Sequence, residues 1–256
     1  MFRVDVGRIY LILLLLVAPS GALAACSAMG NDVSYPQCGK PLPKGQAFGI
    51  VGVNGGMANS FNPCFLGELA WARYSSGALS DLPVAQLYVN TGNPGGLGTS
   101  SWPRTGSNVY GTCLGANSLA CAYQYGWSMA FLDATRPGVV IPGMFMWWLD
   151  VETVNSWDTG SSGTARNVAD LEGMTAYFEG LGAHVGIYSS GTMWSTIVGN
   201  AVGHTSNLRD LANWLPGADS IGEARTNCGL ASLTGGKVAL TQYSMAKFDY
   251  DFPCTR

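Results

Sequence analysis

Along the 256-residue chain, apolar runs of strand length recur, each broken by Gly, Asn, Ser or Pro, and several alternate with stretches of helical periodicity. This is the pattern of a mainly parallel sheet with crossover helices. Strands are predicted at 32–34, 48–53, 84–90, 145–152, 184–189, 213–215, 238–243 and 248–252, and helices at 63–74, 119–134, 165–181 and 192–198. The third helix is well marked: Leu171, Met174, Phe178 and Leu181 recur at spacings of three and four, and Gly182 stands where it should end. Eight strands fit an α/β fold, a single TIM-like (β/α) barrel over residues 26–256, irregular and with fewer than eight helices. Residues 91–117 are rich in Gly, Ser and Asn and show neither strand nor helix periodicity. A loop of this length after a barrel strand belongs to the C-terminal face, where sites are built. Trp102 and Tyr110 within it offer flat faces on which a ring could stack.

The first 25 residues have a different pattern. Arg3 and Arg8 precede an apolar run from Ile9 to Ala18, followed by small residues. The run is about half the ~20 residues that cross a bilayer, so it reads as an export signal with an A-x-A site at Ala22-Leu23-Ala24. "LAAC" at Leu23 to Cys26 also matches a bacterial lipobox, in which Cys26 becomes the lipidated first residue. Of the seven cysteines, at least one cannot pair within the chain. With Cys26 set aside, six remain, which in an oxidising compartment form disulfides. The expected pairing is Cys38 to Cys64, Cys113 to Cys121 and Cys228 to Cys254, one of fifteen connectivities. The chain is expected to act outside the cytoplasm, freely secreted or held at the surface by that lipid alone.

Composition then removes whole classes of function. The chain is 47% hydrophobic and 11% charged, with a formal net charge of −3, so it folds and is not disordered. Its 13 Lys and Arg are scattered, leaving no electrostatic footprint for nucleic acid. His184 and His204 have no partners at ligand spacing, so neither a metal site nor a histidine triad is expected, and no cofactor is called for. Carboxylates are the remaining chemistry.

They concentrate in "MFMWWLDVETVNSW", residues 144–157. Alternation along a strand puts Trp148, Asp150 and Glu152 on one face and Trp147, Leu149 and Val151 on the other. The second set suits the helix-facing layer, so the first directs two acids into the barrel, where isolated charge is expensive. Their α-carbons lie roughly 6.6 Å apart on a strand, close enough to split their pKa values and keep one protonated near neutrality. A salt bridge to an arginine and a loop cap would be the structural alternative. Asp32 on the first strand and Asp249 and Asp251 on the last would join them if the barrel closes. Asp251 fits a turn or cap better.

"DVSYPQ", then "LDVE", then "LTQY" and "FDYD" resemble the family 25 glycoside hydrolases, the muramidase-type lysozymes. The blocks "VGVNGG", "YVNTGNPG", "WWLDVET", "VGIYS" and "LTGG" bring the chain nearer still to exported glycoside-hydrolase-like barrels of actinobacteria. The resemblance runs from Asp32 to Cys254. It implies Glu152 as general acid/base, Asp150 as the acid that assists through the substrate N-acetyl group, and Asp32 and Asp249 as the other pocket acids, acting on peptidoglycan or a related envelope polysaccharide. The second and third strands depart from the usual lysozyme pattern. Asn54 and Asn90 stand there as possible sugar contacts, joined by Tyr188, Trp148, Trp102 and Gln242. A surface glycan-binding barrel with an idle acid set is the other reading that this pattern allows.

Overall fold

The computed structural model describes residues 29–77, 82–96 and 99–254. The export segment and Cys26 lie outside them. Its centre is a closed eight-stranded barrel in the order β1 (Gly30–Val33), β10 (Phe248–Pro253), β9 (Val238–Met245), β8 (Ala212–Ala218), β7 (His184–Tyr188), β6 (Met146–Asp150), β3 (Ala85–Asn90) and β2 (Phe48–Gly52). All neighbours are parallel except β10, which runs antiparallel to both β9 and β1. The expected closure is therefore present, through a hairpin. Running backwards, β10 brings its first residues to the end of the barrel where the parallel strands finish, and Asp249 comes opposite Asp32.

The described helices are α1 (Phe65–Arg73), α2 (Leu119–Ala134), α3 (Gly163–Gly180), α4 (Gly191–Ile197) and α5 (Ile221–Asn227). The first four match the periodicity to within two residues. Helix α5 was not predicted, because it has only two turns and too few apolar positions for a period. Its start was nevertheless written in Ser220 and Glu223: the Ser220 hydroxyl accepts from the Glu223 amide at 3.2 Å and the Glu223 carboxylate reaches back to the Asp219 amide at 2.8 Å. Strand β8 runs longer than the predicted 213–215, past Pro216, with register shifts against β9. Pro216 lacks the N–H a ladder wants, and irregular pairing is where a strand tolerates it.

The strand faces divide as alternation requires. Trp147, Leu149 and Val151 join Leu87 and Val89 in the core beneath the helices, whereas Met146 and Trp148 pack with Phe48, Ile50, Trp214 and Leu240 inside the barrel. Interior aromatics are admitted by inward-facing glycines. A Cβ on Gly186 would lie 2.3 Å from the Trp148 ring, and one on Gly52 would lie 2.6 Å from the Tyr88 ring.

Segment 91–117 is more ordered than predicted. It contains a small hairpin of β4 (Ser107–Asn108) and β5 (Gly111–Thr112), fastened to α2 by Asn108 donating to the Ala120 carbonyl at 2.8 Å and by the Cys113–Cys121 disulfide. Two-residue strands are too short to leave a periodicity. Disulfides Cys38–Cys64 and Cys228–Cys254 complete the expected pairing.

Helices α2 and α3 approach so closely that a Cβ on Gly126 would sit 1.9 Å from the Asp170 carbonyl oxygen, and one on Gly173 2.0 Å from that of Tyr123. In an exposed helix Gly→Ala stabilises by up to ~1 kcal/mol. Here the sign reverses: Gly126→Ala and Gly173→Ala are each expected to destabilise by about 1–3 kcal/mol, read as a lower urea midpoint.

Candidate active site

Strand β6 delivers the acid pair. Its backbone is clamped where the strand ends: Thr91 Oγ1 donates to the Asp150 carbonyl at 2.6 Å and Ser189 Oγ to that of Val151 at 2.6 Å. The Glu152 carbonyl accepts from the Trp157 indole N–H at 2.8 Å and from the Asn155 amide at 3.1 Å. Strand β6 thus stops at Asp150, two residues before the predicted end, because loop groups take the next carbonyls. Glu152 occupies the loop just past the strand and still faces the same hollow as Asp150.

That hollow, about 210 Å³, is lined by Asp32, Tyr88, Asp150, Glu152, Tyr188, Trp214, Gln242, Ser244 and Asp249. The four acids singled out in the sequence therefore converge. Asp32 accepts from Gln242 Nε2 at 2.9 Å, and the Gln242 oxygen accepts from the Tyr188 hydroxyl at 2.8 Å. Asp249 accepts from the Ser244 hydroxyl. Among the described residues the ion pair is Arg166 with Asp158, at 2.6 Å, so no arginine holds Glu152.

Other candidates lie elsewhere. Trp148 forms part of the barrel interior, fully buried, its indole N–H donating to Gln86 Oε1 at 2.8 Å. Trp102 packs against Tyr125 at 5.5 Å and lines a separate hollow, and Tyr110 leans on Tyr123 and donates to Glu172. The ties that order 91–117 press both rings onto the helix pair. Asn54 is 1% exposed with both ends of its amide engaged by protein, and Asn90 spends its Nδ2 on Asp150 Oδ2 at 2.6 Å. Asp251 is neither turn nor cap: it is buried in β10, opposite Gly30 and deeper than Asp249. The pocket residues that the sequence reading missed are Tyr88, Trp214 and Ser244. Tyr88 could have been found, since it shares the inward face of β3 with Asn90.

Burial dominates the electrostatics. It pushes Asp32 up to about 7, with Asp249 and Glu152 adding repulsion and Gln242 opposing. Burial and the Glu152 charge lift Asp150 well above the carboxylate range, against the Asn90 hydrogen bond. Glu152, nearer the mouth, is raised by desolvation, with its neighbour Asp150 opposing. Of the two, the deeper Asp150 is the more inclined to hold a proton. Asp251 is raised by burial and by Asp32 and Asp249. Outside the pocket, burial takes Asp133 up to about 8.

Each of these groups binds its proton more tightly folded than unfolded, so each contributes stability below the unfolded value of about 4 that is lost as pH rises through the folded one. Asp158, held down at about 2 chiefly by its hydrogen bond from Arg166, acts oppositely and only below about 4. The urea midpoint is therefore expected to rise as pH falls from 8 toward 5. A higher midpoint at pH 8 than at pH 5 would contradict this assignment of protons.

No family model matches the chain. Over 69 residues it is 36% identical to "Probable GH family 25 lysozyme 4" of Dictyostelium discoideum, covering 27% of this chain and 30% of that protein. Over 58 residues it is 38% identical to "Probable GH family 25 lysozyme 2" of the same organism, covering 23% and 26%. The chain thus aligns with less than a third of the length of these relatives. In whole-barrel shape it is similar to the modular Cpl-1 endolysin, solved with a peptidoglycan analogue, at TM-scores of 0.54 and 0.55 and identities of 16% and 15%; the match covers 90% of this chain and 55% of that one. By local sequence the chain is similar to the family 25 glycoside hydrolases, and its own fold, an irregular, disulfide-bonded α/β barrel, is similar to that of the endolysin.

Proposed function

We propose that this protein is a glycoside hydrolase acting on cell-wall glycan, muramidase-like, with Glu152 as general acid/base. The observation that carries the reading is the convergence of Asp32, Asp150, Glu152 and Asp249 on one partly open hollow, with no cation among the described residues pairing Glu152. A purely structural pair of acids would be closed against arginine or capped. This pair, with Asp150 inclined to hold a proton, lines a hollow that a sugar can reach.

The chemistry follows from where that proton sits. Before a sugar binds, Asp150 holds it. A sugar bearing an N-acetyl group brings an amide N–H, and a donor on Asp150 favours its ionised form. The proton then passes to Glu152, which faces the leaving oxygen. Glu152 protonates that oxygen as the C1–O bond breaks, and the acetamido oxygen closes on C1 while Asp150 stabilises its N–H. Glu152, now ionised, takes a proton from water as the water attacks C1 and reopens the ring, so configuration is retained. Because the acetamido group supplies the nucleophile, the carboxyl spacing of ~5–5.5 Å expected when the protein supplies it is not required. Tyr188, Gln242 and Asp32 form one connected wall that orients the sugar.

The site of action is extracytoplasmic. Three disulfides are the mark of a chain that matures in an oxidising compartment, and residues 1–25 act as its export signal. Cys26 carries a lipid that tethers the barrel to the cell surface.

The test is release of reducing ends from peptidoglycan by the purified protein. Glu152→Gln is expected to lower turnover by at least ~10²–10⁴-fold while the urea midpoint stays near that of the parent. Unchanged turnover in that variant removes Glu152 from the mechanism. Saturable glycan binding without turnover by the parent would make the barrel a binding module instead.

A further inference from the structure

Behind the acid pair runs a line of hydrogen bonds that ends on a helix. Asn90 Nδ2, at the end of β3, donates to Asp150 Oδ2 at 2.6 Å. The backbone N–H of Asn90 donates to Asn54 Oδ1 at 2.7 Å. Asn54 Nδ2 donates to Asp133 Oδ1 at 2.9 Å and to the Ala58 carbonyl at 3.3 Å. Asp133 belongs to the last turn of α2 and is fully buried. Four separate segments are joined in this way, and of the line's members only Asp150, where it begins, faces the hollow.

The direction of the line is not arbitrary. A backbone N–H can only donate, so Asn54 must present its oxygen to Asn90. Its NH2 is then committed to acceptors, the Ala58 carbonyl and Asp133. At the other end, a donor fixed on Asp150 Oδ2 leaves Oδ1, which is buried and has no hydrogen-bond partner, as the oxygen open to a proton. We propose that Asp133 and Asn54 are positioning residues for the acid pair: acting through Asn90, they decide which oxygen of Asp150 the protein holds and which it leaves open. The consequence for hydrolysis rests on the reading of Glu152 as acid/base. The coupling itself does not.

Several groups bear on the pair besides this line. Glu152, Asp32 of β1, Tyr88 of β3 and Tyr188 of β7 face Asp150, and Asp249 of β10 stands against Asp32. Around Asp133 stand Arg136, just past α2, and Tyr125 of α2. None of them supplies the donor on Oδ2, so the line from Asp133 is separable by substitution.

What the line needs at its far end is an acceptor, not a charge. Asp133→Leu keeps the branched shape and removes the acceptor, whereas Asp133→Asn keeps an oxygen for Asn54. Freed from that tether, Asn90 donates less well, and a weakened donor on Asp150 disfavours its ionised form, so the pair is expected to hold its proton to higher pH. In a 13C-carboxyl NMR titration of the full chain, the Asp150–Glu152 titration is expected to move upward by about half a unit or more in Asp133→Leu and to stay at the parent value in Asp133→Asn. With peptidoglycan as substrate, kcat in Asp133→Leu is expected to fall about tenfold with KM nearly unchanged, and the alkaline limb of its pH profile to move the same way. Asn54→Ser, cut one step nearer the pair, gives the same upward shift should Asp133→Leu fail to fold. A folded Asp133→Leu or Asn54→Ser whose carboxyl titration matches the parent overturns the proposal. A parent that releases no reducing ends, alongside a shifted titration in the variants, overturns the hydrolase reading and leaves the coupling standing.

Discussion

Removing a carboxylate from water costs more than most single contacts return, and this barrel removes several at once. The cost is met with protons and not with cations: among the described residues no lysine or arginine lines the hollow, and the Arg166–Asp158 pair lies away from it. Burial and mutual repulsion keep Asp32, Asp150 and Asp251 inclined to hold hydrogen near neutrality, and amide donors from Asn90 and Gln242 moderate that tendency where a charge is wanted. A pocket arranged in this way stores protons at a surface a sugar can approach. The proposed cleavage of an acetal would need such a store, since the acetal oxygen is a poor leaving group until protonated.

Such an arrangement demands a rigid support, because acids free to move would turn toward water. The support is aromatic. Trp148 fills the barrel beneath Asp150, admitted by Gly186, and is fixed by Gln86. Trp214 packs edge-on against it at 5.8 Å and against Tyr188 at 4.5 Å. Above this floor, side chains from the loops after β3, β6 and β7 capture the carbonyls of residues 150–152 and stop the strand where the chemistry begins. The antiparallel closing strand has the same effect from the opposite side, delivering Asp249 to the rim and sinking Asp251 below it.

The parts of the site that could be read from the chain were those governed by local periodicity. The two-residue alternation of "MFMWWLDVE" is enough to face Asp150 and Glu152 the same way, and it held because Trp147 and Leu149 had a helix layer to enter. Tyr188 and Gln242 obeyed the same rule on β7 and β9. Asn54, Trp148 and Trp102 did not become wall residues, for reasons no local pattern contains. Asn54 lies beside a buried acid of a helix 79 residues away, Trp148 is one layer too deep, and Trp102 is pressed onto α2 by a loop whose hairpin is too short to show a period.

The sequence alone pointed to the barrel, its strands in order of appearance and the inward direction of the central acids, since each depends on spacing along the chain; the three cysteine pairs were one choice among fifteen, decided by the fold. Tertiary structure decided what those acids are. Whether a carboxyl carries a proton depends on the water it has lost and the donors that face it, and those donors come from β3 and β9, the first held through Asn54 by an acceptor on α2, segments that only closure of the barrel brings together.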